Sequence, residues 1–323
     1  MNKLLPNESR SYFIGGVIIA LLGAVCFSTK AIFVKLAYRD TTVDAVSLLA
    51  LRMLFSLPFF IVSAAISSSS STNKKFTLNQ WLGIAVIGCI GYYVSSLLDF
   101  LGLQYVSAGI ERLILFIYPT LVLLMSSVVF KVRINVYQWI AIGITYLGLI
   151  LAFWGEAKID TSNPQFYKGC LLIFCCAITY AIYIVGSGRI IPAVGASKFN
   201  SYAMSFACIA VIIHFQITSE SSLLGLEPLV YVYSFAMAIV STVIPSYLVS
   251  HGISRIGSDN AAIVGSIGPV STILQAYFIL GEPILVLQIV GTVMILAGIL
   301  MVSKKPRRSP LPEKAKTEAE TIA

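Results

Sequence analysis

Apolar stretches of about 20 residues recur along the chain, each long enough to cross a hydrocarbon layer of about 30 Å as a helix. Ten can be placed, near 13–37, 44–66, 81–103, 108–130, 136–154, 168–188, 198–218, 228–250, 260–280 and 284–303. In lipid every backbone N–H and C=O must be satisfied within the protein, and runs of this length do so as helices rather than strands. At 58% hydrophobic and 11% charged residues, a chain of 323 has too little polar surface to cover a soluble globule. The sequence therefore predicts an all-α integral membrane protein of ten transmembrane helices. No cleavable leader is expected, because the first apolar run continues past any plausible cleavage site.

The ten runs fall into two related sets. At an offset of 150 residues, Gly102 meets Gly252, Pro119 meets Pro269, Gln138 meets Gln288 and Gly148 meets Gly298, with no gap between the copies. The first and sixth runs align with an offset of 153, which sets Gly16 on Gly169 and Ala24 on Ala177. Weak internal similarity in an apolar chain is the mark of transporter repeats. Five crossings per copy start the second copy on the opposite side of the membrane, so the two copies are expected as inverted repeats. The organisation is then a tail (1–12), a first five-helix repeat (13–154), an outer connector (155–167) with Asn163 and Pro164 as turn residues, a second repeat (168–303) and a Pro-, Lys- and Glu-rich tail (304–323) expected to be disordered. The run from Ser67 to Lys75 reads as a flexible loop.

Positive charge sets the orientation. Fifteen Lys and Arg lie on the side of the N-terminus and three, Arg39, Lys158 and Lys168, on the other, with Lys30, Lys35, Arg52 and Arg112 inside the apolar runs. Both termini are expected in the cytoplasm, the chain spanning the inner (plasma) membrane many times. The same distribution accounts for the net charge of +8 without nucleic acid, for which no soluble domain is left.

In these features the chain resembles the EamA-like family of the drug/metabolite transporter superfamily. The resemblance is carried by Leu51-Arg52, the stretch Gly102 to Gly109, Pro119 and Pro269, and Leu280-Gly281-Glu282-Pro283, over residues 13–303. One departure stands out: the first copy has Lys131-Val132 where the second has Gly281-Glu282. The resemblance implies a carrier of small metabolites, often an exporter of amino acids, with a central cavity between the halves. An importer or a lipid-linked flippase is the alternative.

Helical spacing nominates the faces that line such a cavity. Glu111, Leu115 and Tyr118 share one face, matched in the second copy by Ala261, Gly265 and Gly268 with Thr272 and Gln275 beyond. Tyr92, Ser96 and Asp99 form another, as do Cys176, Tyr180 and Tyr183, and Gly23, Phe27 and Lys30; Tyr247 is a further aromatic candidate. Each buried charge costs about 2.5–3.5 kcal/mol at a span centre. We therefore expect Asp99 and Glu111 to pair with Lys30 and Arg112, as structural pairs or as a gate that handles substrate or a coupling proton. The stripes of small residues serve equally as helix packing positions, and packing is expected for Gly143, Gly148, Gly291 and Gly298. Pro119, Pro245 and Pro269 fall inside apolar runs and read as mid-helix hinges.

The sequence offers little for catalysis. His214, His251 and the six Cys are scattered through the runs in no ligand spacing, so no metal, cofactor or enzyme activity is expected. The expected partners are a small-molecule substrate and the bilayer, and the residues do not specify an oligomeric state.

Overall fold

The computed structural model describes residues 6–68, 76–129, 136–160, 164–219, 222–265 and 267–303. Among them the fold is helical throughout. The α-helices are α1 (Pro6–Asp40), α2 (Ala45–Ser68), α3 (Leu78–Gly88), α4 (Ser95–Leu103), α5 (Ala108–Leu115), α6 (Tyr118–Val129), α7 (Val136–Asp160), α8 (Phe166–Val194), α9 (Ala196–Thr218), α10 (Pro228–Ala238), α11 (Ile244–Gly265), α12 (Gly268–Gln275) and α13 (Val286–Ser303). Three π-helical turns, Cys89–Val94, Ile239–Val243 and Ala276–Leu280, join or extend them.

Among the described residues, seven helical stretches are long and apolar enough to cross a membrane, and three shorter apolar stretches, Trp139–Gly148, Val270–Leu280 and Val286–Gly298, accompany them. The shorter three fall in the fifth, ninth and tenth apolar runs of the sequence. Local chemistry sets several boundaries. Thr77 and Gln80 form a reciprocal capping box at the start of α3. Asp44 Oδ1 accepts from the backbone N–H groups of Val46 and Ser47 at 2.9 Å, opening α2. Gly257, with φ of 82°, breaks α11 internally in a conformation that favours glycine. Within the stretch read as the connector, α7 continues through 155–160, and a turn forms at Pro164 and Gln165. Asn163, Lys131-Val132 and most of the Ser67–Lys75 loop lie outside the described residues, as do the C-terminal tail and the first five residues.

The sequence repeat reappears in the packing. Helix α1 runs along α11, and α4 runs along α8; α2 packs on α9, α5 on α12 and α7 on α13. The correspondence extends to single contacts. A Cβ on Gly16 would meet Ile256 at 2.6 Å and Arg255 at 2.8 Å, while one on Gly169 would meet Tyr105 at 2.7 Å and Val106 at 2.8 Å. The offset of 150 carries Tyr105 and Val106 onto Arg255 and Ile256, and that of 153 carries Gly16 onto Gly169, so one contact is made twice. The first two π turns also start 150 residues apart, at Cys89 and Ile239.

Glycine lets these helices approach closely, as membrane helix pairs require. Gly148 faces the Gly291 carbonyl, where an added Cβ would sit 2.6 Å from the oxygen; Gly298 closes the same α7–α13 contact against Ala141 and Thr145. Gly143 differs from expectation, for nothing lies within 4 Å of its Cβ position. The two glycines of α7 therefore separate packing from composition. Gly148→Ala should cost about 1–3 kcal/mol, because backbone must move to admit the methyl group, and should lower the melting temperature of the purified protein. Gly143→Ala should leave it unchanged or raise it, since alanine favours the helix by about 1 kcal/mol.

Candidate functional site

A cavity of about 80 Å³ lies in the interior, with walls from both halves of the chain. That space holds several waters or a small solute group. From the first half come Phe27 and Lys30 of α1, Arg52 of α2, Tyr92 of the first π turn, Ser96 of α4, and Arg112 and Leu115 of α5. From the second come Cys176 and Tyr180 of α8, Val249, Ala261, Ala262 and Gly265 of α11, and Gly268.

The unequal sizes of equivalent residues are complementary. Offset by 150, Arg112 corresponds to Ala262, Leu115 to Gly265 and Tyr118 to Gly268. The Tyr118 hydroxyl occupies the space that a side chain on Gly265 would need, and it donates to the Ala262 carbonyl at 3.2 Å. Its ring packs edge-on to Tyr180, with centroids 5.1 Å apart. Large groups of one repeat thus fit only because the other repeat is small at the same place.

Both helices that carry these residues are interrupted at the cavity. Helix α5 stops at Leu115 and α6 starts at Tyr118; α11 stops at Gly265 and α12 starts at Gly268. Pro245 sits within the unbroken helical stretch Pro228–Ser258, directly after a π turn. The mid-helix reading of the other two prolines is corrected here: Pro119 is the second residue of α6, and Pro269 lies in the first turn of α12. A first-turn N–H has no partner within its own helix, so proline is tolerated there without loss. Proline also cannot donate to the carbonyl four residues earlier, which is that of Leu115 in one repeat and of Gly265 in the other.

Behind the first-repeat wall lies a buried charge cluster. Lys30 Nζ is 2.7 Å from Asp99 Oδ2 and 3.7 Å from Glu111 Oε1. Arg112 Nε is 3.3 Å from Glu111 Oε2, and its Nη2 donates to the Phe27 carbonyl at 2.9 Å. Sequence neighbours on a helix point about 100° apart, yet the long Arg112 side chain folds back far enough to reach Glu111. Asp99 and Glu111 are both fully buried.

Other nominated residues stand off the cavity. Tyr183 packs edge-on against Tyr92, with centroids 4.8 Å apart. The Tyr247 hydroxyl shares a hydrogen bond of 2.9 Å with Ser201, and its ring packs on Phe60. Thr272 donates to the Ser28 carbonyl at 3.4 Å, and Gln275 donates to the hydroxyls of Ser28 and Ser271 at 2.9 and 2.8 Å, fastening α12 to α1. Glu282 accepts from the Ala108 N–H at 3.4 Å at the start of α5, so the acidic residue of the Leu-Gly-Glu-Pro stretch caps a helix of the opposite repeat.

Sequence spacing alone did not put Arg52 on the cavity wall. It is 1% exposed; its Nε donates to Thr242 at 2.6 Å and its guanidinium lies over the Phe100 ring at 5.4 Å. The available signal was a lone basic residue in an apolar run whose own helix offers no carboxylate.

A profile of the EamA-like transporter family matches residues 14–154 and again 167–304. A Bacillus subtilis protein described as an uncharacterized transporter, YcbK, is 32% identical over 282 residues, which cover 85% of this chain and 88% of that protein. The Salmonella typhimurium protein YicL, described as an uncharacterized inner membrane transporter, is 18% identical over 295 residues, covering 91% of this chain and 96% of its own. A solved crystal structure, 16% identical and covering 90% of this chain and 98% of its own, superposes with a TM-score of 0.68 and shares the fold.

The ion cluster gives a direct test of charge pairing. Lys30→Met strands the buried Asp99 carboxylate, and breaking such a pair costs about 3–5 kcal/mol. At about 3 °C per kcal/mol, the melting temperature should fall by about 10 °C. Lys30→Met combined with Asp99→Asn should recover at least half of that loss, as read by thermal unfolding of the purified protein.

Proposed function

Since the chain belongs to the EamA-like transporter family, we propose that it is a secondary transporter of small metabolites working by alternating access, and that it exports amino acids or related compounds. The observation that carries this reading is the interior cavity walled by both repeats at two symmetry-related helix interruptions. Broken helices at a repeat interface are where transporters of inverted-repeat design bind their substrates, because irregular backbone is tolerated only where it faces protein or a cavity.

In this reading the seven long and three shorter apolar stretches make ten crossings, arranged as two inverted five-helix repeats. The membrane is the inner (plasma) membrane with both termini in the cytoplasm, as the Lys and Arg distribution favours. Rocking of one repeat on the other exposes the cavity to each side in turn. The interruptions before Pro119 and Pro269 supply the bending points, and Pro245 a third beside its π turn. Glu111 is the candidate carrier of a coupling proton: it contacts Lys30 of α1 and its own neighbour Arg112, so its neutralisation loosens the tie between α1 and α5.

The test compares small molecules inside and outside cells overproducing the protein with those in cells overproducing Glu111→Gln at matched membrane abundance. Solutes that gather outside only with the unaltered protein support export and name its substrates. Depletion from the medium would reverse the direction. With neither pool changed, movement of labelled lipid between leaflets becomes the measurement, and a positive result there would replace this reading with the flippase. For the expected exporter, Glu111→Gln should lower efflux about tenfold or more and abolish its response to an imposed pH gradient.

A further inference from the structure

The buried charges do not balance. Among the described residues the interior cluster holds three basic side chains, Lys30, Arg52 and Arg112, against two carboxylates, Asp99 and Glu111. Lys30 and Arg112 each contact a carboxylate. No carboxylate among the described residues lies within 4.0 Å of the Arg52 nitrogens, and its Nη1, with no solvent exposure, has no hydrogen-bond partner. An arginine carries five N–H donors and stays ionised under all ordinary conditions. Asp99 attracts it only from beyond contact distance; holding such a group inside an apolar bundle without a direct counter-charge is costly, and neutralisation by proton loss is closed to it.

The rest of Arg52 is held in place. Thr242 accepts from Nε at 2.6 Å and passes its own proton to the Met237 carbonyl at 2.9 Å, which fixes the orientation of the hydroxyl. Phe100 supports the guanidinium plane. Arg52 and Tyr92 line the same cavity, and the Tyr92 hydroxyl is likewise buried, with the Tyr183 hydroxyl beside it and no hydrogen bond of good geometry. The Tyr92 ring is fixed between Phe27 and Tyr183, at centroid distances of 6.4 and 4.8 Å. A rigid cation with an unused donor and a rigid, weakly held hydroxyl therefore border one small space.

We propose that Arg52 and Tyr92 bind the carboxylate of the transported solute, Arg52 Nη1 and the Tyr92 hydroxyl donating to its oxygens. The inference rests on the transport reading above and adds its substrate class: small carboxylates, amino acids included. With Asp99 and Glu111 both ionised, the one surplus positive charge matches one carboxylate; a doubly charged phosphate ester would overshoot it. The aromatic and small-residue walls, Phe27, Tyr118, Tyr180, Ala261 and Gly265, are left to receive the remainder of the molecule.

The experiment uses the full-length protein in two settings. Solute pools are first compared between cells carrying the wild-type protein, Arg52→Gln, Arg52→Lys and Tyr92→Phe at matched membrane abundance. A responding solute and its neutral amide are then followed in proteoliposomes. The expected result is that the responding solutes bear a carboxylate and that Arg52→Gln slows their movement about tenfold or more. Arg52→Lys keeps part of the rate, having the charge without the fork. Tyr92→Phe, which leaves the ring packing intact, slows the carboxylate several-fold without affecting the amide, and so decides the matter even where Arg52→Gln fails to reach the membrane. Responding solutes that lack an anionic group, a response confined to phosphate esters, or a Tyr92→Phe protein that treats both forms as wild type does would overturn the proposal while leaving transport standing. No responding solute at all would remove the transport reading and this inference with it.

Discussion

Lys30, Asp99, Glu111 and Arg112 leave water together, and their mutual pairing is what lets the surrounding helices close. At an effective dielectric constant suited to protein interiors, contacts of 2.7–3.7 Å are worth several kcal/mol each, comparable with the cost of burying the ions. The pairs join α1, α4 and α5, three helices of the first repeat. The second repeat has Val249, Ala261 and Ala262 at the positions equivalent to Asp99, Glu111 and Arg112, so it contributes no such ties. One repeat is bound internally by charge; the other relies on close packing.

That difference shapes how the repeats meet. Charge pairs need fixed geometry and resist sliding, whereas contacts between glycine and backbone impose spacing without direction. Across the cavity, Tyr118 reaches into the space at Gly265 and bonds the Ala262 carbonyl, while α12 holds α1 through Ser28, Ser271 and Gln275. These are hydroxyl and amide contacts at the edges of an interrupted helix. They can be broken and remade at modest cost, about 1 kcal/mol each, which is the scale suited to an interface between two rigid units.

Much of this was legible in the residues. The apolar runs, the repeat offset and the helical stripes at Lys30, Tyr92, Ser96, Tyr118 and Tyr180 follow from periodicity, which reports the facing of long helices well; Arg112 was nominated by its charge. Pro119 and Pro269 were misplaced within their helices because spacing cannot distinguish a kinked helix from two short ones; only the turns at Phe116–Ile117 and at Ile267 do. Gly143 and Gly148 look alike in sequence, and only the neighbouring helix separates them. The stripes also placed Asp99 and Glu111 on the cavity, whereas both lie behind Lys30 and Arg112: a short carboxylate stays near its backbone, while a long basic side chain extends past it to the surface. Arg52 escaped for the same reason, since its reach exceeds what helical phase can predict.

The π turns bring the repeat symmetry to bear on that one arginine. Each inserts an extra residue into a turn, shifting the side chains beyond it by about a quarter of the helix circumference. The turns begin at equivalent positions, Cys89 and Ile239, so the shift occurs in both repeats. Tyr92 and Thr242 are equivalent residues within them, 150 apart. Tyr92 turns into the cavity that Arg52 lines, and Thr242 accepts the bond from Arg52 Nε. Two copies of one distortion therefore serve a single asymmetric site, one holding the cation and the other bordering the space in front of it. A regular helix in either repeat would rotate its residue off this site. The bulges are accordingly part of how an approximately two-fold scaffold builds a cavity whose two walls differ.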